Sequence, residues 1–253
     1  MQTYNTATME TDFNFQYPDL NDPILSELKT LGNIDLKPDV TELEKAKIVI
    51  GYAHGLFTHN GDNTPSSSDP LTIIKEAQAG QSFRCVEYST LAAALLWAYA
   101  IPARTVGLKT SDVQTREYGA GHVVIEFWNS DYQKWIMCDV QAGIIPQTGG
   151  MLLSAFELGQ KLGSAPVDYV PVSGSRFSPE RTYGDKENYA AWIEKYLYFF
   201  DTPVHLQFID MDRPTEKIAM LIPLNVPAPK LFQNLFVMNA VYTRSVLDFY
   251  PAL

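Results

Sequence analysis

Apolar residues recur at steps of three and four in the first third of the chain, as they do along helices. Between Asp39 and about Phe57 this spacing predicts a helix, and a shorter helix is predicted over Leu71–Ala79, ending before Gly80. The run HNGDNTPSSSDP separates the two, because it consists almost wholly of turn-forming residues. A short apolar face also predicts a helix over Pro23–Leu31, within an otherwise polar N-terminal region.

The stretch Cys85–Tyr99 is apolar on nearly every side, which is typical of a helix buried at the centre of a domain. Pro102 ends it, since a proline disfavours helical backbone at the residue before it. The sequence therefore predicts a central helix whose first residue is a cysteine.

Strand patterns follow this helix at Arg104–Lys109, His122–Trp128 and Lys134–Val140. The segment Asn129–Gln133 is long enough to join the last two as an antiparallel hairpin. An apolar helix beside paired, alternating strands predicts an α+β fold in which the central helix packs on an antiparallel sheet.

The rest of the chain gives weaker signals. They predict helices over Leu152–Leu162 and Lys186–Phe199, strands over Val204–Ile209 and Ile218–Leu224, and a polar loop over Pro171–Asp185. We interpret the loop, which carries arginines in an acidic chain, either as a determinant of substrate specificity or as a solvated connector.

We interpret residues 1–253 as a single domain, because this length and an apolar content of 46% are compatible with one core. Residues 1–38 are expected to form an N-terminal strap and residues 39–145 the core. Residues 146–253 would form a C-terminal extension that completes the domain and shapes the substrate cleft. The final cluster Phe249-Tyr250-Pro251 is expected to pack back on the core.

The formal net charge of −10 argues against nucleic acid and anionic membrane surfaces as partners, since both would repel the protein. No run of about 18 apolar residues indicates membrane insertion, and no signal-peptide pattern opens the chain. We therefore expect a cytoplasmic protein by default, or an exported one whose signal has been removed. The oligomeric state is left open by the sequence.

Cys85, His122 and Asp139 follow one another as a nucleophile, a base and an orienting acid. Cys85 opens the central helix, where unpaired N–H groups and the helix dipole favour the thiolate that attacks acyl carbon. His122 opens a strand, and the predicted hairpin brings Asp139 to the same end. Taken singly, each has a structural interpretation: a buried hydrophobe, a core or rim histidine, and a turn residue.

A metal site built from Cys85, His122, Cys138 and Asp139 is the competing chemistry. It is disfavoured because Cys138 and Asp139 are adjacent in a strand and point to opposite faces. We expect neither a metal nor a cofactor. The remaining histidines, His54, His59 and His205, are interpreted as structural or surface residues.

Residues 40 to 145 resemble the transglutaminase-like core, within the wider papain-like cysteine enzymes. The motifs that carry the resemblance are Gly80, Cys85, the helix end Ala100-Ile101-Pro102-Ala103-Arg104, His122 with Glu126, and Trp135 before Asp139. Two positions depart from the family pattern: Gly80 stands further from the cysteine than is usual, and Ala100 replaces a glycine.

The resemblance implies a papain-like fold and a Cys85–His122–Asp139 triad that acts through an acyl-enzyme. The chain lacks the CxxC zinc module of the glycan-removing members and the Gly-Gly loop of the arylamine acetyltransferases. A protease or amidase of the bacterial stand-alone type, acting on a peptide or protein, is the interpretation that remains. A protein-glutamine acyltransferase and a non-catalytic binding module are the alternatives. Gln78 and Gln81 are candidates for a second oxyanion donor beside the Cys85 N–H.

Overall fold

The computed structural model describes residues 2–9, 11–176, 186–206 and 216–253. The helices of these residues are α1 (Pro23–Gly32), α2 (Glu42–Leu56), α3 (Pro70–Gln78), α4 (Cys85–Ala98), α5 (Ala155–Lys161), α6 (Lys186–Glu194) and α7 (Val246–Phe249). Helix α4 is the predicted central helix, and every side chain from Glu87 to Trp97 is buried. It contacts α1, α2 and α3 as well as the main sheet.

The strands are β1 (Ala103–Lys109), β2 (Gly121–Asn129), β3 (Lys134–Cys138), β4 (Ile144–Thr148), β5 (Met151–Leu152), β6 (Asp168–Pro171), β7 (Phe199–Pro203), β8 (Ile218–Leu221), β9 (Leu231–Phe232), β10 (Phe236–Val237) and β11 (Ala240–Thr243). The main sheet has the order β11-β8-β7-β1-β2-β3, and smaller sheets have the orders β5-β4-β6 and β10-β9. Neighbours in the main sheet are antiparallel except β8 and β11.

The main sheet is covered on both faces, since successive residues of its strands β1, β2 and β3 are nearly all buried. Ile125 and Phe127 of β2 pack in the same apolar cluster as α4. Val124 points to the other face, where it packs in a second cluster with Leu158 of α5 and Ile193 of α6. The predicted α+β, papain-like fold, with a central helix on a largely antiparallel sheet, is confirmed.

Ala100 adopts a left-handed backbone, with φ of 59°, directly after helix α4. Its N–H donates to the Trp97 carbonyl and the N–H of Ile101 donates to the Leu96 carbonyl, each over 2.9 Å. This pair of bonds is a Schellman motif, in which glycine is the preferred residue at the left-handed position. The departure from the family pattern at Ala100 therefore falls where an alanine carries backbone strain.

The helices and strands predicted before residue 145 are all present, with small shifts of their ends. Helix α2 begins at Glu42, because the capping box of Thr41 and Glu44 fixes its start. Strand β3 ends at Cys138 rather than Val140. The hairpin joining β2 and β3 is antiparallel, as predicted.

The ends of the helices and strands after residue 145 were predicted less well. The helix predicted over Lys186–Phe199 ends at Glu194, because Phe199 begins β7 and this strand pairs with β1. The prediction of a helix over Leu152–Leu162 was wrong at its start: Ser154 caps α5.

Three other predictions were wrong in part or cannot be compared in full. In the predicted strand Val204–Ile209, residues 204–206 follow β7 without extending it, and residues 207–209 lie outside the described residues. The predicted strand Ile218–Leu224 ends at Leu221. Of the loop Pro171–Asp185, residues 177–185, including Arg181, also lie outside them.

A buried ion pair joins the core to the C-terminal residues. The Arg104 guanidinium lies 2.8 Å from the Glu126 carboxylate, and both side chains are almost fully buried. Arg104 also donates to the Phe249 carbonyl, while Glu126 accepts from the hydroxyl of Tyr250 and from the N–H of Ala155. The C-terminal aromatic cluster thus packs back on the core, as predicted.

None of the helices in the described part of the chain is long and apolar enough to cross a membrane.

Candidate active site

The structure brings Cys85, His122 and Asp139 together at one end of the β2–β3 hairpin. Strand β3 stops opposite Ile125, so the first residues of β2 have no partner on that side among the described strands. Asp139, directly after β3, reaches across this open edge, and its Oδ2 lies 2.9 Å from His122 Nε2. Cys85, at the N-terminus of α4, lies close enough to the same imidazole for each side chain to shift the pKa of the other.

Asp139 is fully buried, and donors from three directions hold its carboxylate. Oδ2 accepts from the Tyr189 hydroxyl over 2.9 Å as well as from His122, and Oδ1 accepts from the Ala142 N–H over 3.1 Å. Burial alone would raise the pKa of this carboxyl. The charge and hydrogen bond of His122, together with the bonds from Ala142 and Tyr189, outweigh burial and lower the pKa.

The His122 ring is enclosed by aromatic side chains from α6 and the residues after it. The ring of Trp192 meets it edge-on at 4.9 Å between centroids, and Tyr196 lies 6.2 Å away. Burial would lower the pKa of this imidazole, but the Asp139 carboxylate and the Cys85 sulfur raise it to about 10. The site therefore favours the imidazolium form.

The two cysteines have opposite environments. Burial would raise the pKa of Cys85, but the hydrogen bond and charge of His122 and the backbone N–H of Val123 lower it. Burial raises the pKa of the Cys138 thiol well above its usual value. Cys138 packs in the cluster around α4, on the face of the sheet opposite His122, as the alternation along β3 predicts.

Sequence reasoning missed the aromatic side chains of α6 and its C-terminal side. Tyr189, Trp192 and Tyr196 stand three and four residues apart, a spacing that places them on one side of a helix. That periodicity could have indicated an aromatic face, but nothing in it indicated that the face covers His122. Tyr196 itself lies just beyond the end of α6.

The three other histidines lie in different places. His54 is buried, with Nδ1 2.8 Å from the Val140 carbonyl, which agrees with a structural role. His59 pairs with Phe83 in the loop before Cys85, and partial burial and the charge of His122 lower its pKa. His59 is therefore a surface residue at the border of the site. His205 makes an isolated bridge with Gln16, away from the triad strands.

Gln78 does not act as an oxyanion donor in this arrangement. Its amide donates to the Leu31 carbonyl and the Tyr52 hydroxyl, over 3.0 and 3.2 Å. Gln81 has an exposed side chain in the loop before α4. Within the described ranges, no group of three His, Cys, Asp or Glu side chains is arranged to hold a metal ion.

Residues 33–140 match the family model of the transglutaminase-like superfamily. This part of the chain is transglutaminase-like. The transglutaminase-like core so defined contains all three site residues and ends one residue after Asp139. No curated protein matches the chain.

Two solved structures are similar to the chain at low identity. One is a proposed cysteine protease from Cytophaga hutchinsonii, with 16% identity and a TM-score of 0.36 over 55% of this chain and 46% of that one. The other is a TGase, with 20% identity and a TM-score of 0.33 over 47% of this chain and 31% of that one. The chain spans less than half the length of either structure.

Proposed function

We propose that this protein hydrolyses an amide bond in a peptide or protein substrate, with Cys85 as nucleophile, His122 as general acid and base, and Asp139 as the orienting group. The observation that carries the proposal is the His122–Asp139 hydrogen bond of 2.9 Å beside a thiol at a helix N-terminus. The pKa of the thiol is lowered and that of the imidazole is raised, so the pair favours thiolate and imidazolium at neutral pH.

Asp139 determines which ring nitrogen of His122 serves the sulfur. Because Nε2 donates to the carboxylate, Nδ1 is the nitrogen that remains for Cys85. A buried carboxylate in this position fixes the tautomer and stabilises the imidazolium, while it keeps its own negative charge.

The reaction begins when the Cys85 thiolate attacks the amide carbonyl carbon and forms a tetrahedral oxyanion. The Cys85 N–H is in the first turn of α4, where backbone N–H groups have no partner within the helix, and it would donate to this oxyanion. The imidazolium of His122 then gives its proton to the amide nitrogen. The carbon–nitrogen bond breaks, an amine leaves, and a thioester to Cys85 remains.

Water completes the cycle. Neutral His122 takes a proton from the water as its oxygen attacks the thioester carbon, and the carboxylic acid leaves as the thiolate is restored. Transfer to a substrate amine would follow the same steps with the amine in place of water. A non-catalytic binding module would not require the complete hydrogen-bonded set of three side chains.

Alkylation by iodoacetamide at pH 6, followed by peptide mass mapping, tests the proposal. We expect Cys85 to react much faster than glutathione, an ordinary exposed thiol, while buried Cys138 stays unmodified in the same molecules. Cys85→Ala should abolish the fast reaction and any amide cleavage without unfolding the protein. Alkylation of Cys85 no faster than that of glutathione would contradict the proposal.

Peptide substrates incubated with and without an added primary amine then separate hydrolysis from acyl transfer. A free carboxylate product that persists in the presence of the amine is expected. A product that consists only of the amine conjugate would assign the protein as an acyltransferase instead.

A further inference from the structure

We propose that an exposed apolar surface beside the active site binds an apolar side chain on the acyl side of the substrate amide. The surface, here called the hairpin surface, consists of Tyr118, Leu235, Phe236 and Val237. The inference rests on the proposed function, because it names the class of peptide that the same site would cleave.

The four side chains are unusually exposed for their type. Their exposed fractions are 80% for Tyr118, 72% for Leu235, 63% for Phe236 and 79% for Val237. Leu235 ends a turn in which Gln233 and Asn234 both have positive φ, and Phe236 and Val237 follow as strand β10. Such a turn joins β9 and β10 tightly, so Leu235 stands at the tip of this hairpin, and Phe236 and Val237 face opposite sides of its second strand. The Gln233 side chain bonds to the carbonyl of Glu117, the neighbour of Tyr118, so these exposed apolar residues come from adjoining segments, and such a group is typical of a binding surface.

Hydrogen bonds hold the hairpin formed by β9 and β10 against the loop that leads to His122. The Gln233 backbone N–H donates to the Val113 carbonyl over 2.8 Å, and its side-chain amide donates to the Glu117 carbonyl over 3.0 Å. The Lys230 N–H donates to the Gln114 side chain over 2.8 Å. Because Lys230 and Gln233, on either side of β9, are bonded to this loop, the β9–β10 hairpin has a defined position relative to the start of β2.

The β9–β10 hairpin meets β2 at Gly121, the residue before His122. A Cβ atom on this glycine would lie 3.1 Å from the Phe232 ring, closer than nearly all such contacts. The absence of a side chain thus lets Phe232 of β9 lie against the strand. Two residues further along the same face, the backbone N–H of Val123 is near enough to the Cys85 thiol to lower its pKa. Gly121 and Val123 are both partly exposed, unlike the buried residues that follow.

This arrangement selects the acyl side of the substrate. Successive residues of a strand face opposite sides, so Phe232 packs on the side of β2 opposite the His122 ring. The leaving amine must lie toward His122, which supplies its proton. The acyl part therefore extends toward Val123, Gly121 and the hairpin surface.

The charge of the protein favours a substrate segment over other occupants. A second copy carries the same net charge of −10, and an anionic membrane surface is also negative, so both are repelled. An uncharged or basic peptide segment with a large apolar side chain is not repelled, and its burial on the hairpin surface would be favourable. The occupant of the hairpin surface is therefore a substrate segment of this kind.

Peptidyl chloromethyl ketones test this inference, because they alkylate a thiolate, lose chloride and place their peptide on the acyl side. We would compare reagents with phenylalanine, glycine or aspartate next to the reactive ketone. For the unmodified protein we expect the phenylalanine reagent to inactivate Cys85 at least about tenfold faster than the glycine reagent, the usual scale for one buried apolar side chain. The aspartate reagent should be slowest.

The double variant L235S/F236S should lose the preference for phenylalanine, while its alkylation by iodoacetamide stays unchanged. Leu20→Ser is the matched control, because Leu20 is an apolar residue with 57% exposure that lies outside the hairpin surface and the site. It should keep the preference. Circular dichroism would establish that both variants are folded.

A double variant that retains the phenylalanine preference, or an unmodified protein that has none, would overturn the inference. Rapid iodoacetamide alkylation in those same samples would leave the proposed function standing, whereas slow alkylation of the unmodified protein would contradict the proposed function itself. A dimer found by sedimentation, and abolished in L235S/F236S, would assign the surface to a second copy and also overturn the inference.

Discussion

The hydroxyl of Tyr189 donates a 2.9 Å hydrogen bond to Oδ2 of Asp139, the same oxygen that lies 2.9 Å from the His122 ring nitrogen. Tyr189 belongs to α6, outside the part of the chain that matches the transglutaminase-like model. From the sequence we expect residues 146–253 to complete the domain and to shape the substrate cleft. The Tyr189 contact shows that this region also holds Asp139, the proposed orienting group.

Replacing Tyr189 by Phe should weaken the site without removing any member of the triad. Burial tends to raise the pKa of Asp139, whereas His122, Ala142 and Tyr189 lower it. Without the Tyr189 bond this pKa rises, so the loss of Cys85 reactivity on acidification should begin at a higher pH. We expect a several-fold lower rate at neutral pH, on the scale of one hydrogen bond to a charged group. The measurement is the pH profile of iodoacetamide alkylation.

Tyr250→Phe is the matched control for this change, because its hydroxyl bonds to Glu126 rather than to the site. The Tyr250→Phe substitution should lower the melting temperature and leave the pH profile of Cys85 alkylation unchanged. If both variants shifted the profile equally, the role given to Tyr189 would be wrong.

Asp139→Asn should leave a folded protein with weak residual activity. The amide is close in shape to the carboxylate but carries no charge, so it neither stabilises the imidazolium nor fixes the tautomer that directs Nδ1 to Cys85. We expect a loss of about 10²–10⁴-fold in amide turnover, the range for a disabled general base. The melting temperature, measured beside turnover, reports on folding. Full activity in Asp139→Asn would exclude the proposed role.

The pH dependence of Cys85 alkylation follows from the directions of two pKa shifts. The thiol pKa is lowered, so the thiolate is present at neutral pH and is lost only as the pH falls through that lowered value. The imidazole pKa is raised to about 10, so the imidazolium beside it persists through neutral pH and is lost at alkaline pH. Alkylation should therefore remain fast at pH 6 in the native protein.

His122→Ala removes the partner that lowers the thiol pKa, while the burial that raises it remains. The acid limb of the alkylation profile should shift to higher pH. Alkylation should then be slow at pH 6 and recover at alkaline pH. An unchanged profile would mean that the imidazole does not stabilise the thiolate. Alkylation after denaturation gives the unperturbed reference for both forms.

Glu126→Gln should reduce stability rather than chemistry. The Glu126 carboxylate accepts from Arg104, Ala155 and Tyr250, and the Arg104 pair is almost fully buried. Removing one charge of a buried pair costs about 3–5 kcal/mol, which corresponds to roughly 10 °C in melting temperature for a chain of this size. Alkylation of Cys85 at low temperature should be preserved. Abolished activity with an unchanged melting temperature would contradict this structural role.

Ala100→Gly should stabilise the protein. Ala100 has φ of 59° at the end of α4, in a region that costs a non-glycine residue about 1–2 kcal/mol. The more flexible unfolded chain offsets part of this gain, so we expect about 1 kcal/mol, measured by urea unfolding. Ala98→Gly, inside the same helix, should destabilise. A loss of stability in Ala100→Gly would show that the left-handed backbone is not strained.

The sequence alone determined the central helix, the β2–β3 hairpin and the three proposed catalytic residues. The helix and the hairpin depend on local pattern: an apolar surface on every side of Cys85–Ala98, and alternation along two strands joined by a short turn. The three residues depend on their order along the chain and on the resemblance to the transglutaminase-like core. Alternation also fixed the faces of Cys138 and Asp139, since neighbouring strand residues must point in opposite directions. The Asp139–His122 contact was predictable because a hairpin register relates residues that are close along the chain.

Only the tertiary structure decided what surrounds these residues. Phe199 looked like the end of a helix but lies in β7, since pairing with β1 stabilises a strand there. Tyr189 stands 50 residues after Asp139, and no local periodicity indicates that its hydroxyl reaches that carboxylate. The hairpin surface likewise depends on Phe232 meeting Gly121 across a long stretch of chain. Periodicity identifies an element and its buried face, but the partner of that face is chosen by packing of the whole chain.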